Sequence, residues 1–550
     1  MKSLKKAACI LIVLVFLLSM SACGGNTSST VQGTSTEIVT AANTTSAVSA
    51  DPEVDALISK MNISIPSSDQ FKDKLPVKWL YFGNYSAYKK GTIVERVFNK
   101  LFNVELSVLP VDATSAEKIN VVFAAGNIPD VFVFENPNSY YKSGIIREIP
   151  MDMVEKYMPW TFNNINSNDG EYAWYTAKDN ETKTKLLGIP CYAAMGACRI
   201  GFGLRQDWLD NLGITTLPAT IDELHDVLLR FRNDDPDKNG KKDTYALGGI
   251  GKAQWKRQFA PVFGAFGTMP DIWMETNGKI VPSFADESYK SALKVLAQWY
   301  KEGIIDPEFI TEETTTYWAK CVDGKIGVFE AGPDYYAPGV DLPPALIAKK
   351  DPKAKYTVIP AIKGPDGKSG SFAWGGYFGW DMMFGKNTSD EIMIRAMQIA
   401  DTMVSNYDLF KLAAKGVDGV TYEMKGTKPI TKEGIVATDY GFDQYLFPFR
   451  LLQTETIYYD ETCTKMGEES MKDNWITNAI DFSKQDEQLR KNEKYRPDDI
   501  IKAAEEFYYN AITGKLDIDA KWDAYVKNLM DLGYSLSIPE AQNAPKFNRK

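Results

Sequence analysis

Three short apolar runs, each bounded by polar turn residues, open the folded part of the chain. Residues 76–82 (Pro-Val-Lys-Trp-Leu-Tyr-Phe), 104–109 and 130–135 predict buried strands. Between them the apolar period lengthens. Ile93, Val94, Val97, Phe98, Leu101 and Phe102 recur at helical spacing within 91–102. Ile119, Val122 and Phe123 do the same after Thr114-x-x-Glu117, a capping-box pattern. Strand, helix, strand, helix, strand at this spacing predicts a parallel sheet with crossover helices.

Past residue 185 the strands shorten. Residues 187–190 and 199–204 predict two of them, and 205–212 a short helix. Thr220-x-x-Glu223 is a second capping box, before a helix carrying Leu224, Val227, Leu228 and Phe231. Residues 286–302 and 307–320 predict helices, and 325–330 a strand that ends in Ala-Gly-Pro. An aromatic–glycine strand, Ser371-Phe-Ala-Trp-Gly-Gly-Tyr-Phe-Gly-Trp380, precedes a helix opened by Thr388-x-x-Glu391. At 550 residues the chain is long enough for two or more lobes.

The first fifty residues follow another pattern. Lys2, Lys5 and Lys6 precede an uncharged apolar run from Ala7 to Met20, the layout of a signal peptide over residues 1–22. Met20-Ser21-Ala22-Cys23 looks like a bacterial lipobox, which makes Cys23 the lipidated first residue of the mature chain, although Met20 stands where leucine is usual. The alternative is a secreted protein cleaved nearby. Residues 23–50 are almost all small or polar and read as a flexible tether at the extracytoplasmic face of the cell membrane.

Composition narrows the function. Loss of the leader removes three lysines and no acid, so the net charge falls from −10 to −13. That balance argues against nucleic acid and against bulk electrostatic capture of anionic polysaccharide. Among six cysteines, Cys191 and Cys198 are close enough to bridge a hairpin or to stay as two buried thiols. The only histidine, His225, falls inside a helical pattern, which removes histidine-dependent triads and His-rich metal sites.

Three stretches carry candidate chemistry. Asp235-Pro-Asp237-Lys-Asn239-Gly240-Lys241-Lys-Asp243 places side-chain oxygens at positions 1, 3, 5 and 9 of a loop, glycine at 6 and the Lys241 carbonyl at 7. This is most of an EF-hand-type loop for a structural calcium ion, though Ala246 replaces the closing glutamate. A solvated polar turn is the alternative. In the aromatic–glycine strand, Trp374 and Tyr377 fall on opposite faces, so one of them is expected to meet a ligand. Open α/β sheets bind ligands at the carboxyl ends of strands, which nominates Tyr81, Asn84, Glu135, Glu330 and Tyr335. Trp255 and Trp273 lie in an aromatic, glycine-containing stretch suited to a cleft wall.

The order of these elements resembles a known family. The first strand, the strand before Pro190, Arg205-x-x-Trp208, Pro218-x-Thr220-x-x-Glu223, the acidic loop, Gly327-Val-Phe-Glu330 and the aromatic–glycine strand are similar to the extracellular solute-binding lipoproteins of ABC sugar importers. The long members, including alginate-binding proteins and lipoproteins of Gram-positive soil bacteria, are the most similar, over roughly residues 65–545. The resemblance implies an α/β fold of the periplasmic-binding-protein type II, two lobes joined by hinge strands around a cleft. It implies lobe segments 65–190 and 371–425 for one lobe and 191–370 and 426–550 for the other, with crossovers near 187–200, 368–372 and 420–435. It implies Arg205 at the cleft, and a calcium loop closed by an acid where this chain has Thr244. The expected protein is a monomer that is not an enzyme. It captures an oligosaccharide and delivers it to ABC permease subunits. Two other classes fit parts of the sequence. One is a glycoside hydrolase or lyase using Glu135 and Glu330, and the other a peptide or lipopeptide receptor.

Overall fold

The first predicted strand is β1 (Leu75–Leu80), whose Val77, Trp79 and Leu80 are buried to 1% exposure or less. The computed structural model describes residues 51–547 apart from 62, 64–70, 82, 168–169, 193–200, 337–341, 372–376, 427 and 445–479. Cys23, Trp374 and Cys198 therefore lie outside the described residues. Strands β2 (Val104–Val108) and β3 (Val131–Glu135) flank β1, both parallel to it. Helix Ile93–Phe102 makes the first crossover, burying Val94, Val97, Phe98 and Phe102, and ends at Asn103 in the left-handed region.

The second crossover helix, Ala116–Ala124, corrects the expected cap. Its N-cap is Ser115, which accepts the Lys118 N–H at 3.4 Å. The Thr114 hydroxyl instead donates to Asp112 at 2.6 Å, a charged acceptor two residues back. The same one-residue shift recurs at helix Asp390–Ser405. Ser389 caps it, while Thr388 donates to the Asp130 carbonyl at 3.0 Å. The box at Thr220 and Glu223 forms as expected, at the head of helix Ile221–Asn233.

The chain continues through β4 (Ile189–Tyr192), β5 (Gly201–Arg205), the hairpin β6 (Trp273–Thr276) and β7 (Lys279–Pro282), then β8 (Val328–Ala331), β9 (Tyr356–Val358) and β10 (Tyr377–Phe384). A last hairpin pairs β11 (Tyr422–Lys425) with β12 (Lys428–Thr431). One sheet has the order β2-β1-β3-β10-β4, with β10 antiparallel to both neighbours. A second is β8-β5-β9, antiparallel throughout. Gly203 in β5 has to be glycine, because a Cβ there would sit 2.5 Å from the Tyr336 ring.

From Pro52 the chain is one unit, in which the described residues form two large apolar cores and two small ones. The first draws on residues 54–191, 382–414 and Phe442, the second on 202–362 and 500–534. The chain thus leaves the first core after Cys191 and re-enters it by Met382. Within 420–435, the range expected for the third crossover, the chain forms the β11–β12 hairpin. Ile435, Tyr440 and Phe442 still pack on the first core. The expected helix 307–320 is also divided. Asp306 caps a 3-10 turn, Pro307–Ile310, and the α-helix begins at Thr314. Cys191 is a buried thiol outside any disulfide. His225 is a half-buried helix residue, stacked on Trp299 and bonded to Glu302 at 2.6 Å.

A side-chain seam joins the C-terminal tail to the first lobe. Phe547 packs on Tyr172 and Tyr175, with ring centroids 5.3 Å away in each case. Beside it Lys183, buried, lies 3.7 Å from the Asp481 carboxylate and 4.7 Å from the Tyr175 ring.

Candidate functional site

At the carboxyl end of the first sheet three side chains converge. Tyr81 follows β1, Glu135 ends β3, and Trp380 faces Glu135 across the β3–β10 pairing. The Trp380 indole N–H donates to Glu135 Oε1 at 2.8 Å, and the Tyr81 ring lies 6.2 Å from the Trp380 ring. Trp380 was legible as the last aromatic of the glycine-rich strand but not as a site residue. Asn84 is exposed, bridges to Asp112 and accepts the Ser86 N–H at 3.1 Å. Tyr377 opens β10, its backbone opposite Tyr192.

In the second lobe a cavity of about 160 Å³ lies at the end of β8, lined by Arg257, Gln258, Tyr317, Trp318, Glu330 and Tyr335 among others. Two predicted residues, Glu330 and Tyr335, are thus brought together. Glu330 is half-buried, and its two oxygens accept the N–H groups of Phe259 and Ala260 at 2.9 and 2.8 Å. Those bonds favour the carboxylate, yet burial outweighs them and pushes its pKa up to about 8. Gln258 is 4% exposed, its Nε2 donates to the Gly248 carbonyl at 3.2 Å, and its Oε1 has no hydrogen-bond partner. A buried amide oxygen without a donor is costly and invites a ligand hydroxyl. Gly249 makes room for this amide, since a Cβ there would fall 1.1 Å from Gln258 Nε2. The Phe329 ring lies 6.3 Å from Tyr335, and Trp318 stands edge-on to Tyr335 at 6.4 Å.

Three nominated residues lie elsewhere. Arg205 is turned to Asp207 by two hydrogen bonds of 2.8 and 2.6 Å and covers the Trp208 ring. Trp255 is a core residue, stacked on Phe284 and packed on Tyr508. Trp273 lines a different, larger cavity.

The acidic loop closes on itself. Asp235 accepts the N–H groups of Asn239 and Gly240, each at 3.0 Å, and Asn239 Oδ1 accepts that of Lys241 at 2.7 Å. Asp235 and Lys238 take positive φ, and so does Gly240 at 75°. The Asn239 Nδ2 bridges Asp237 and Asp243 at 2.8 and 3.0 Å, and Lys325 pairs with Asp243. Asp237 Oδ1 is buried without a partner, and burial raises the Asp237 pKa. Crowded oxygens, one of them orphaned, fit a hard cation. The residues available to it are Asp235, Asp237, Asn239 and Asp243, with the Lys241 carbonyl. A second acidic group, Asp306, Glu308 and Glu312, gathers around Lys320 Nζ.

Two α/β lobes with a polar–aromatic face at the strand ends of each define a type II solute-binding protein. The alginate-binding protein AlgQ2 superposes with a TM-score of 0.63 at 19% identity, covering 86% of this chain and 98% of its own. FusA of S. pneumoniae with bound kestose superposes at 0.60 and 19%, covering 85% and 98%. A family profile described as bacterial extracellular solute-binding protein matches residues 96–421, and the chain belongs to that family. By sequence it is 28% identical over 382 residues to the polygalacturonan/rhamnogalacturonan-binding protein YtcQ of Bacillus subtilis, covering 67% of this chain and 71% of that one. It is 26% identical over 322 residues to the lipoprotein LipO of the same organism, covering 57% and 60%. Among the described residues no helix is long and apolar enough to cross a membrane.

Proposed function

We propose that this protein is the substrate-binding subunit of an ABC importer and captures an oligosaccharide between its two lobes. The observation that carries the reading is Gln258, a buried amide with an unsatisfied oxygen at the wall of a cavity lined by aromatic rings. Sugars are held in this way, with flat rings against C–H faces and fixed polar groups for the hydroxyls. Tyr81, Glu135 and Trp380 form the facing wall, with Asn84 after the same strand as Tyr81, and the ligand crosslinks the lobes as they close. The lobes divide after Cys191, before Met382 and after Phe442. The polygalacturonan name of YtcQ and the fructooligosaccharide name of FusA support a saccharide ligand.

The test is a thermal-shift screen of the mature protein against plant and bacterial oligosaccharides and peptides. A saccharide hit that weakens about tenfold in Gln258→Ala, with small-angle scattering showing a more compact complex, supports the reading. Stabilisation by peptides alone would overturn it. The protein binds without turnover. Glu135 and Glu330 belong to different lobes and accept hydrogen bonds from Trp380 and from two backbone amides. Dye release from labelled polysaccharides would refute this.

Two further parts complete the proposal. Cys23 carries the lipid that anchors the protein outside the membrane, beside the permease, as the lipoprotein relative suggests. The Asp235–Asp243 loop holds a structural calcium ion. The EF-hand named in FusA supports that assignment.

A further inference from the structure

A second cavity, about 500 Å³, opens in the same lobe between the β6–β7 hairpin, the start of helix Pro497–Ile512 and the turn Met530–Tyr534. One segment parts it from the first. Gln254, Arg257 and Gln258 line the first cavity and Lys256 the second, while Trp255 anchors the segment in the core. The volume falls within the range of about 300–1,000 Å³ that small-molecule sites occupy.

Its walls combine two kinds of surface. Trp273, half-buried, forms an aromatic platform with Phe482 at 4.7 Å and Tyr534 at 6.1 Å. Around it stand polar groups already fixed in position. The Tyr495 hydroxyl donates to Asp486 at 2.6 Å, Arg490 donates to the other oxygen of Asp486 at 2.7 Å, and Lys256 pairs with Asp271. Groups held by one another lose little freedom when a ligand arrives. The charged lining comprises three carboxylates and two cations, and each cation already faces a carboxylate. A uronate would bring a further negative charge to a site with no positive charge to spare. A neutral sugar offers hydroxyls to both signs and C–H faces to the rings.

We infer that this cavity is a second saccharide site, selective for neutral sugar units. It rests on the saccharide reading above and extends it to a ligand, or a second ligand, held beyond the 251–258 segment. Two tryptophans report on the two cavities separately. Trp273 lines the second and Trp318 the first. The mature protein, labelled with 5-fluorotryptophan, is titrated by fluorine NMR, with signals assigned from Trp273→Phe and Trp318→Phe. The probes are glucose, galactose, mannose, maltose, cellobiose and sucrose on one side, and galacturonic acid and digalacturonate on the other.

The Trp273 signal is expected to move with at least one neutral sugar, to stay with both galacturonates, and to move equally in Gln258→Ala. Asp271→Asn should weaken that response about tenfold while leaving the Trp318 response intact. A Trp273 signal that no neutral sugar moves, or that galacturonates move as strongly, overturns the second site. A Trp318 signal that no saccharide moves counts instead against the cleft reading, so the two failures are distinct.

Discussion

The second lobe gathers carboxylates in two places. Asp235, Asp237 and Asp243 come from nine consecutive residues, and their loop leaves one buried oxygen without a partner. Asp306, Glu308 and Glu312 lie closer still, within seven residues, and the buried Glu312 oxygens also lack a hydrogen-bond partner, but Lys320, on the helix that follows, pairs with all three carboxylates. Asp306 and Glu312 are each only 3% exposed at the side chain, so their charge needs that lysine. The difference is in what neutralises them. A helix can deliver one ammonium to a compact group. Alternating oxygens around a turn present too many lone pairs for one lysine, and an ion with six or more ligand places suits them better.

Lys320→Met is the most damaging test of this contrast. It strands two buried carboxylates and should cost about 3 kcal/mol, the lower part of the range for a broken buried pair, since Lys320 keeps contact with water. Urea denaturation measures it, and a wild-type midpoint would show that the cluster needs no counter-ion. Calcium removal should follow in size. An ion bound only by the folded state contributes about 2.7 kcal/mol at a hundredfold excess over Kd, a few degrees in Tm for a chain this long. EDTA should lower Tm, calcium should restore it, and Asp237→Ala should abolish the response. A Tm indifferent to EDTA, with no metal on elemental analysis, would reduce the loop to a polar turn.

Glu330 sharpens the comparison from a third side, as a half-buried carboxyl served by two backbone N–H groups. Its pKa rises from the usual 4.5 to about 8, so between those values the folded state binds more protons than the unfolded one. Its contribution is therefore fully present below pH 4.5 and is lost as the pH climbs through 8. Glu330→Gln should flatten stability against pH across that window, and an unchanged slope would deny the shift. The smallest effect belongs to the helix leading into the calcium loop. Thr220→Ala removes one half of its capping box and should cost about 1 kcal/mol while leaving the EDTA response intact.

The sequence showed most clearly those features that are local. β1 to β3 and their crossover helix at 93–102 follow from period alone, and the Thr220 box forms as written. The caps at Ser115 and Ser389 were missed because Asp112 and the Asp130 carbonyl compete for the preceding threonines. No short-range pattern could say that β10 would enter the first sheet between β3 and β4, some two hundred residues after them in sequence. Site residues divide in the same way. Glu330 and Tyr335 share a cavity because they neighbour one strand end. Trp255 and Arg205 looked equally available, but Asp207, two residues on, claims Arg205, and Phe284 and Tyr508, distant in sequence within the same core, claim Trp255. The unsatisfied oxygen of Gln258 has no signature in sequence at all.

The seam at Phe547 and Lys183 also has a mechanical side. Apart from the strands that carry the chain between cores, it fastens the tail to the first lobe through rings and a buried ion pair. A rotation that keeps Lys183 beside Asp481 must have its axis close to that pair, like a door that swings about its hinge pin. Such an axis moves material near the seam little and material far from it a great deal. Phe547→Ala would thus loosen the pivot of the lobe closure proposed above, although Phe547 belongs to neither candidate ligand wall.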